Sequence, residues 1–261
     1  MSTAAALRDQ IEKGLESRFP AALSPLPRSI REVASTGIPQ ADRILDGGLP
    51  IGAISEITGS ASSGRTSLVL SFLAQRTAEE RFCAWIDTHD ILDPESAAAT
   101  GVTLEQLLWV RCQDRRHESP ETGRSFMRKR QPWSQLDQAI RATDLLLQAG
   151  GFCAIVLDLG DTRPEHGKRI PLATWFRFRQ AADRTRTSLI ILGQSSYAQS
   201  SAAVVLECAP LQPVTAGDTV LCGFTYQVLR GRQRFSTHTG ARKPPVSDWS
   251  ASAIWTAEKH A

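Results

Sequence analysis

The chain has 261 residues, 41% of them hydrophobic, enough to bury a substantial core as one large domain or one domain with tails. Its 30 Lys and Arg against 27 Asp and Glu leave a net charge of +3, too slight to establish a nucleic-acid partner by charge alone. Five scattered cysteines form no C-x-x-C pair, no run approaches the roughly 18 apolar residues of a membrane span, and the N-terminus has no hydrophobic signal core, so a reduced, cytoplasmic protein is expected.

In chain order, residues 4–18 read as a short amphipathic helix, with Leu7, Ile11 and Leu15 at four-residue steps. Phe19 to Pro27, carrying Pro20, Pro25 and Pro27, reads as an extended linker, and residues 1–30 form a first unit. The core is expected over residues 31–243. It opens with a helix over Thr36–Asp46 closed by Gly47 and Gly48, and Ile51–Thr58 follows as a buried strand. Gly59-Ser-Ala-Ser-Ser-Gly-Arg-Thr-Ser67 then has the spacing of the phosphate-binding loop G-x-x-x-x-G-K-[ST], with Arg65 in the lysine position. Thr66–Arg76 reads as a helix. Strand, glycine-rich turn and helix N-terminus together favour an anion, because backbone N–H groups and the helix dipole point at it.

Strands are predicted at Phe82–Asp87, Leu107–Cys112, Phe152–Asp158 and Ser188–Gly193, and helices at Pro94–Thr100, Trp133–Gln148 and Pro171–Arg186. Gln113–Gln131 is polar, rich in arginine and read as a loop. Ala202–Cys208 and Thr219–Arg230 follow with little helix between them and read as an antiparallel end of the sheet. The tail over residues 244–261, with Trp249 and Trp255, reads as a docking segment or an edge strand. Alternation of strands and helices implies an α/β fold, a P-loop NTPase core with a mostly parallel sheet flanked by helices. The site is expected where the carboxyl ends of the strands bring Gly59, Asp158 and Gln194 together. Asp158 ends an apolar strand and has the character of a Walker B carboxylate that holds Mg²⁺ directly or through water.

Leu45-Asp46-Gly-Gly-Leu-Pro50, Glu56-Ile-Thr-Gly59, Ser62-Ser-Gly-Arg-Thr66, Cys83-Ala-Trp-Ile-Asp87, Leu92-Asp-Pro94 and Gly193-Gln194 occur in the order of the motifs of the RecA recombinase core, which the chain resembles from about Gly37 to Gln194. The departures resemble the RecA-like ImuA relatives of the bacterial damage-induced (SOS) mutagenesis cassette. The resemblance implies ATP and Mg²⁺ as cofactors. It places the nucleotide on Gly59, Ser60, Ser62, Ser63, Gly64, Arg65, Thr66, Ser67 and Asp158, with Thr66 and Asp158 at the metal. By position it puts His89 where the recombinase has its catalytic glutamate, and Gln194 where it has its γ-phosphate sensor.

Arg65 keeps the lysine's charge in a larger planar fork, and His89 lacks a carboxylate's charge, with Asp87 and Asp90 left open as substitutes, so a degenerate site and no efficient ATPase are expected. The segments that follow Asp158 and Gln194 are short beside the recombinase's DNA loops, implying weak, non-specific DNA binding. The implied role is a DNA-repair accessory in translesion synthesis. Its partners would be an ImuB-like Y-family polymerase subunit, an error-prone C-family polymerase and RecA, with a homo-oligomer also open. Two rivals stay open: an active DNA-dependent ATPase or recombinase, and a SulA-type division inhibitor. Phe19-Pro-Ala-Ala22 fits the F-x-x-A pattern of subunit contacts; the stripe of Leu7, Ile11 and Leu15 on its extended arm points residues 1–30 at a RecA-like surface, and the basic cluster with Trp249 and Trp255 points the C-terminal segment at the polymerase. Basic residues at Arg177, Arg179, Arg184, Arg186, Arg230, Arg232, Arg234, Arg242 and Lys243 are candidates for phosphate contact or for a solvated face.

Overall fold

The computed structural model of the protein describes residues 32–113, 134–216, 220–233 and 245–252. The predicted N-terminal helix and linker, the arginine-rich loop, Trp255, and Arg234, Arg242 and Lys243 lie outside the described residues. The elements are β1 (Val33–Ala34), α1 (Pro39–Ile44), β2 (Leu49–Pro50), β3 (Ile54–Gly59), α2 (Arg65–Ala78), β4 (Cys83–Asp87), α3 (Pro94–Ala99), β5 (Leu107–Arg111), α4 (Gln135–Ala149), β6 (Ala154–Asp158), α5 (Pro164–Gly167), α6 (Leu172–Thr185), β7 (Ser188–Gly193), β8 (Ala202–Ala216), β9 (Val220–Gln233) and β10 (Val246–Ser252).

The main sheet has the order β10-β9-β8-β3-β7-β6-β4-β5 among the described residues. From β8 to β5 all neighbours run parallel, and β8–β9 and β9–β10 are antiparallel. This is the expected α/β arrangement with an antiparallel end. The apolar runs follow from it: a strand covered by helices on both faces has no polar side to show. Along β6, Ala154 and Val156 join one core with Leu68, Phe72 and Leu73 of α2, and Ile155 and Leu157 join another with Trp175 and Phe178 of α6. Trp175 and Phe178 meet edge to face, centroids 5.9 Å apart. Such pairs add to simple area burial.

Several boundaries shift for local reasons. The helix expected over Thr36–Asp46 is confined to Pro39–Ile44. Asp42 accepts the Thr36 amide at 2.8 Å and its hydroxyl at 2.7 Å, and Ile38 is extended ahead of Pro39. Gly48 is required at its turn, since a Cβ there would lie 2.1 Å from the Ala34 carbonyl oxygen. Ser134 caps α4 by accepting the Asp137 amide at 3.1 Å, and Asp93 caps α3 through Glu95 and Ser96, each at 3.2 Å.

The segment from Val246 takes the edge-strand alternative. It pairs with Leu229–Gly223 of β9 and buries Trp249 against Tyr226, ring centroids 4.8 Å apart. Trimming from Pro244 therefore removes a strand of the sheet together with its buried tryptophan, and the division between core and tail at residue 243 does not follow the sheet. No helix among the described residues is long and apolar enough to cross a membrane.

Part of the basic set has structural employment. Arg230 donates to the Ile44 carbonyl at 2.6 Å and sits 3.4 Å from Asp46. Arg177 pairs with Asp144 at 3.0 Å, Arg186 with Glu32, and Arg232 donates to the Gln199 and Ala202 carbonyls. For Arg230→Ala the expected result is a loss of about 1–2 kcal/mol in urea unfolding, because a half-buried carbonyl loses a charged donor, with no change in DNA retention.

Candidate functional site

The site is built on the carboxyl ends of β3, β6 and β7. The P-loop leaves β3 at Gly59, and α2 starts at Arg65 with Gly64 as its N-cap at φ 82°. Gly59 tolerates no side chain: a Cβ would sit 2.4 Å from the Ser63 hydroxyl and 2.5 Å from the Cys208 carbonyl. Gly64 is equally constrained, because a Cβ there would lie 2.6 Å from the ring of Tyr226. The ring of a residue on β9 thus lies against the N-terminus of the P-loop helix. Burial raises the Tyr226 hydroxyl above its ordinary range, and contact with Ser67 opposes this. Ser60, Ser62 and Thr66 are exposed, Ser67 is half-buried, and Ser63 is buried without a partner for its hydroxyl among the described residues.

Arg65 is the central finding. Its side chain is buried and folds back across the mouth of the loop. One terminal nitrogen donates to the Gly59 carbonyl and the other to the Gly160 carbonyl at 3.3 Å. Gln194, just past β7, donates from Nε2 to the same Gly160 carbonyl at 3.0 Å. The Gly160 amide donates in turn to Asp158 Oδ1 at 2.8 Å. Gly59, Arg65, Asp158 and Gln194 therefore converge as the strand order requires, with Gly160 as the hub that links them. No ion pair joins Arg65 to Asp158 among the described residues. Burial pushes the Asp158 carboxyl up to about 6; the Gly160 amide opposes this, the Asp87 charge adds to it, and Arg65 opposes it again.

His89 does not join this cluster. It follows β4, half-buried with Nδ1 lacking a partner among the described residues, and lines a cavity of about 630 Å³ with Asp161, Arg163, His166 and Arg169, to which no P-loop residue among those described contributes. The neighbouring aspartates are engaged elsewhere. Asp87 is fully buried and accepts from the Ile91 amide at 3.1 Å, the Leu92 amide at 2.8 Å and Trp109 Nε1 at 3.2 Å. Asp90 pairs with Arg111 at 2.5 Å, and that pairing holds its carboxyl below the usual range.

Sequence reasoning missed Glu56, Gly160, Arg163, Arg169 and Tyr226. Glu56 carried a signal, a carboxylate inside an otherwise apolar strand, which demands buried partners. Its oxygens accept from the Ser196 hydroxyl, the Tyr197 amide at 2.5 Å and the Ala198 amide at 2.8 Å, fixing the loop that follows Gln194. Tyr226 gave no local signal, since its contact with Gly64 spans the sheet.

As they stand, the residues fit a nucleotide and Mg²⁺ only in part. The glycine cradle and the carboxylate are in place, and the guanidinium lies between them on carbonyls at both ends. No group of three or more metal-ligating His, Cys, Asp or Glu side chains occurs among the described residues.

The RecA N-terminal domain family matches residues 8–121. RecA of Rickettsia canadensis is 34% identical over 155 residues, covering 59% of this chain and 39% of the relative. RecA of Ruegeria pomeroyi is 35% identical over 49% of this chain and 31% of the relative, and that of Borrelia hermsii 33% over 58% and 37%. The chain thus spans 31–39% of the length of these curated relatives. The crystal structure of the RadB recombinase superposes with a TM-score of 0.57 at 14% identity, covering 83% of this chain and 94% of that one. In fold, and in sequence over its first half, the chain is RecA-like.

Proposed function

We propose that the chain is a RecA-like accessory protein of damage-induced mutagenesis, of the ImuA kind, whose nucleotide site is degenerate and which acts by binding a polymerase partner and RecA. The observation that carries the degenerate site is the Arg65 guanidinium seated on the Gly59 and Gly160 carbonyls. In an active P-loop the lysine reaches outward to the β- and γ-phosphates. Here the cation turns to backbone oxygens, and it spans the gap between cradle and Asp158 with a fork that a compact ammonium does not possess. With His89 facing a separate cavity, no carboxylate is left in the general-base position. Of the neighbouring aspartates, Asp87 spends its oxygens on two amides and an indole, and Asp90 pairs with Arg111. The polymerase and RecA contacts rest on the ordered series of recombinase motifs together with the departures at Arg65 and His89. DNA contact is expected to be weak and steeply salt-dependent, since the segments after Asp158 and Gln194 are short and Arg230 and Arg232 are engaged on backbone carbonyls.

Two measurements test this. Wild-type protein should turn over ATP no faster with single-stranded DNA than without, while Arg65→Lys binds Mg·ATP at least about tenfold more tightly by calorimetry. DNA-stimulated turnover that Asp158→Ala abolishes would make the chain an active ATPase. In cells, loss of the gene should lower damage-induced mutation and leave recombination intact. Loss of recombination, or filamentation on overexpression, would point to the recombinase or the division inhibitor instead.

A further inference from the structure

At the opposite end of the strands from the P-loop, two cysteines meet. Cys83 is the first residue of β4, and Cys153 immediately precedes β6. The strands are parallel neighbours, with Cys83 in register with Ala154. The backbone at Cys153 is held on both sides: its amide donates to Phe82 at 2.9 Å and its carbonyl accepts from Ser188 at 2.9 Å. The two sulfurs are 3.5 Å apart and share one hydrogen bond. Cys83 is fully buried. Cys153 is half-buried and opens onto a hollow of about 370 Å³, lined also by Glu80, Arg81, Thr185 and Arg186.

The surroundings divide the roles. The hydrogen bond from Cys83 lowers the Cys153 thiol to about 7, against burial, with the Arg81 and Arg76 charges helping. The Cys83 thiol is raised first by that same bond and then by burial, so it keeps the proton. Burial takes the other core thiols the other way, Cys112 to about 11 and Cys208 to about 12. A thiolate is the nucleophile in cysteine chemistry, and reactive thiols combine accessibility, nearby cations and a second thiol within reach.

We propose that Cys153 and Cys83 form a peroxide-reactive dithiol site, with Cys153 as the attacking sulfur and Cys83 as the resolving one. In the first step the Cys153 thiolate attacks a hydroperoxide oxygen. An S–O bond forms as the O–O bond breaks, sulfur is oxidised, and the departing alkoxide or hydroxide takes a proton from water. In the second step the Cys83 sulfur attacks Cys153. The S–S bond forms as the S–O bond breaks, and the hydroxyl leaves with the Cys83 proton as water. Two thiols and one hydroperoxide thus give one disulfide, one alcohol (or water) and one water. The sulfurs need to close by about 1.5 Å to reach bonding distance. Burial of Cys83 confines the first step to Cys153.

The test treats the full chain at neutral pH with equimolar hydrogen peroxide, with and without dimedone, followed by intact mass and peptide mapping. Wild type should lose about 2 Da, yield a linked Cys83–Cys153 peptide pair and take no dimedone. Cys83→Ser, with Cys83→Ala as the second variant in case the hydroxyl is not tolerated in the core, should accumulate a dimedone adduct on Cys153. Cys153→Ser should leave Cys83 unmodified and slow total oxidation at least about tenfold. Absence of the linked pair in wild type, or oxidation of Cys153 no faster than that of Cys222, overturns the proposal.

Discussion

Glu56→Ala is expected to destabilise the protein by on the order of 3–5 kcal/mol, the largest single-residue effect in the site. The carboxylate is fully buried in the middle of β3 and receives three donors, the Ser196 hydroxyl and the Tyr197 and Ala198 amides. Its removal strands the two buried amides, while the hydroxyl of the exposed Ser196 can turn to solvent, and each buried unsatisfied donor carries a desolvation cost. Glu56→Gln keeps the shape, sets an NH₂ against donors and loses the charge, so about half that loss is expected. Urea unfolding gives the magnitude. Hydrogen exchange at Tyr197 and Ala198 gives the place, and protection there should collapse ahead of the rest of the sheet. A loss below about 1 kcal/mol for the alanine variant, with exchange unchanged, would show that the loop is held by other contacts. Glu56 lies on a strand adjoining β7, and through the loop it anchors it fixes the approach of Gln194 to the Gly160 carbonyl.

Asp158→Asn should do the reverse at neutral pH. Burial raises the folded-state carboxyl from its ordinary 3.8 to about 6. A raised carboxyl favours the protonated form in the folded protein, so its contribution is full below about pH 4 and is lost as pH climbs through 6. Above that, the folded chain carries an ionised, desolvated group whose cost, from a rise of about two pH units, is on the order of 3 kcal/mol. Asparagine keeps an oxygen to accept the Gly160 amide and removes the charge. The variant is therefore expected to be more stable than wild type by about 2–3 kcal/mol at pH 8 and indistinguishable from it near pH 4. A urea midpoint series across that range decides it. Equal stability at both ends would mean that Arg65 compensates the charge fully.

The architecture was legible because the buried parallel strands are continuous apolar runs, each closed by a turn residue or a carboxylate. Phe152–Asp158 and Ser188–Gly193 read as strands from composition alone, and the first of them starts two residues later, at Ala154. The convergence of Gly59, Asp158 and Gln194 followed from strand direction. What stayed hidden needed three dimensions. Arg65 was identified as a departure, but a one-dimensional pattern assigns a residue type and not a rotamer, and its partner Gly160 lies 95 positions away. His89 was placed by alignment to a motif, and the backbone after β4 turns it towards α4 instead. The contact of Tyr226 with Gly64 joins opposite ends of the chain across the sheet. Arg230 and Arg232, read as candidates for phosphate contact or for a solvated face, are braces, because charge in a sequence does not distinguish a solvated guanidinium from one spent on a carbonyl.

The folded-back arginine also sets a cost that any phosphate ligand of the loop would meet, because the guanidinium has to leave the Gly59 and Gly160 carbonyls to reach it. A side chain tethered to the loop it occupies competes at an effective concentration set by a few covalent bonds, far above any diffusible cation. If the two carbonyl contacts together favour the closed rotamer by about 2–3 kcal/mol, the open fraction is on the order of 0.6–3%, and the apparent affinity for a phosphate ligand falls by the inverse of that fraction. The discount applies to every phosphate ligand alike, so a polyphosphate gains over a single phosphate only through contacts beyond the loop.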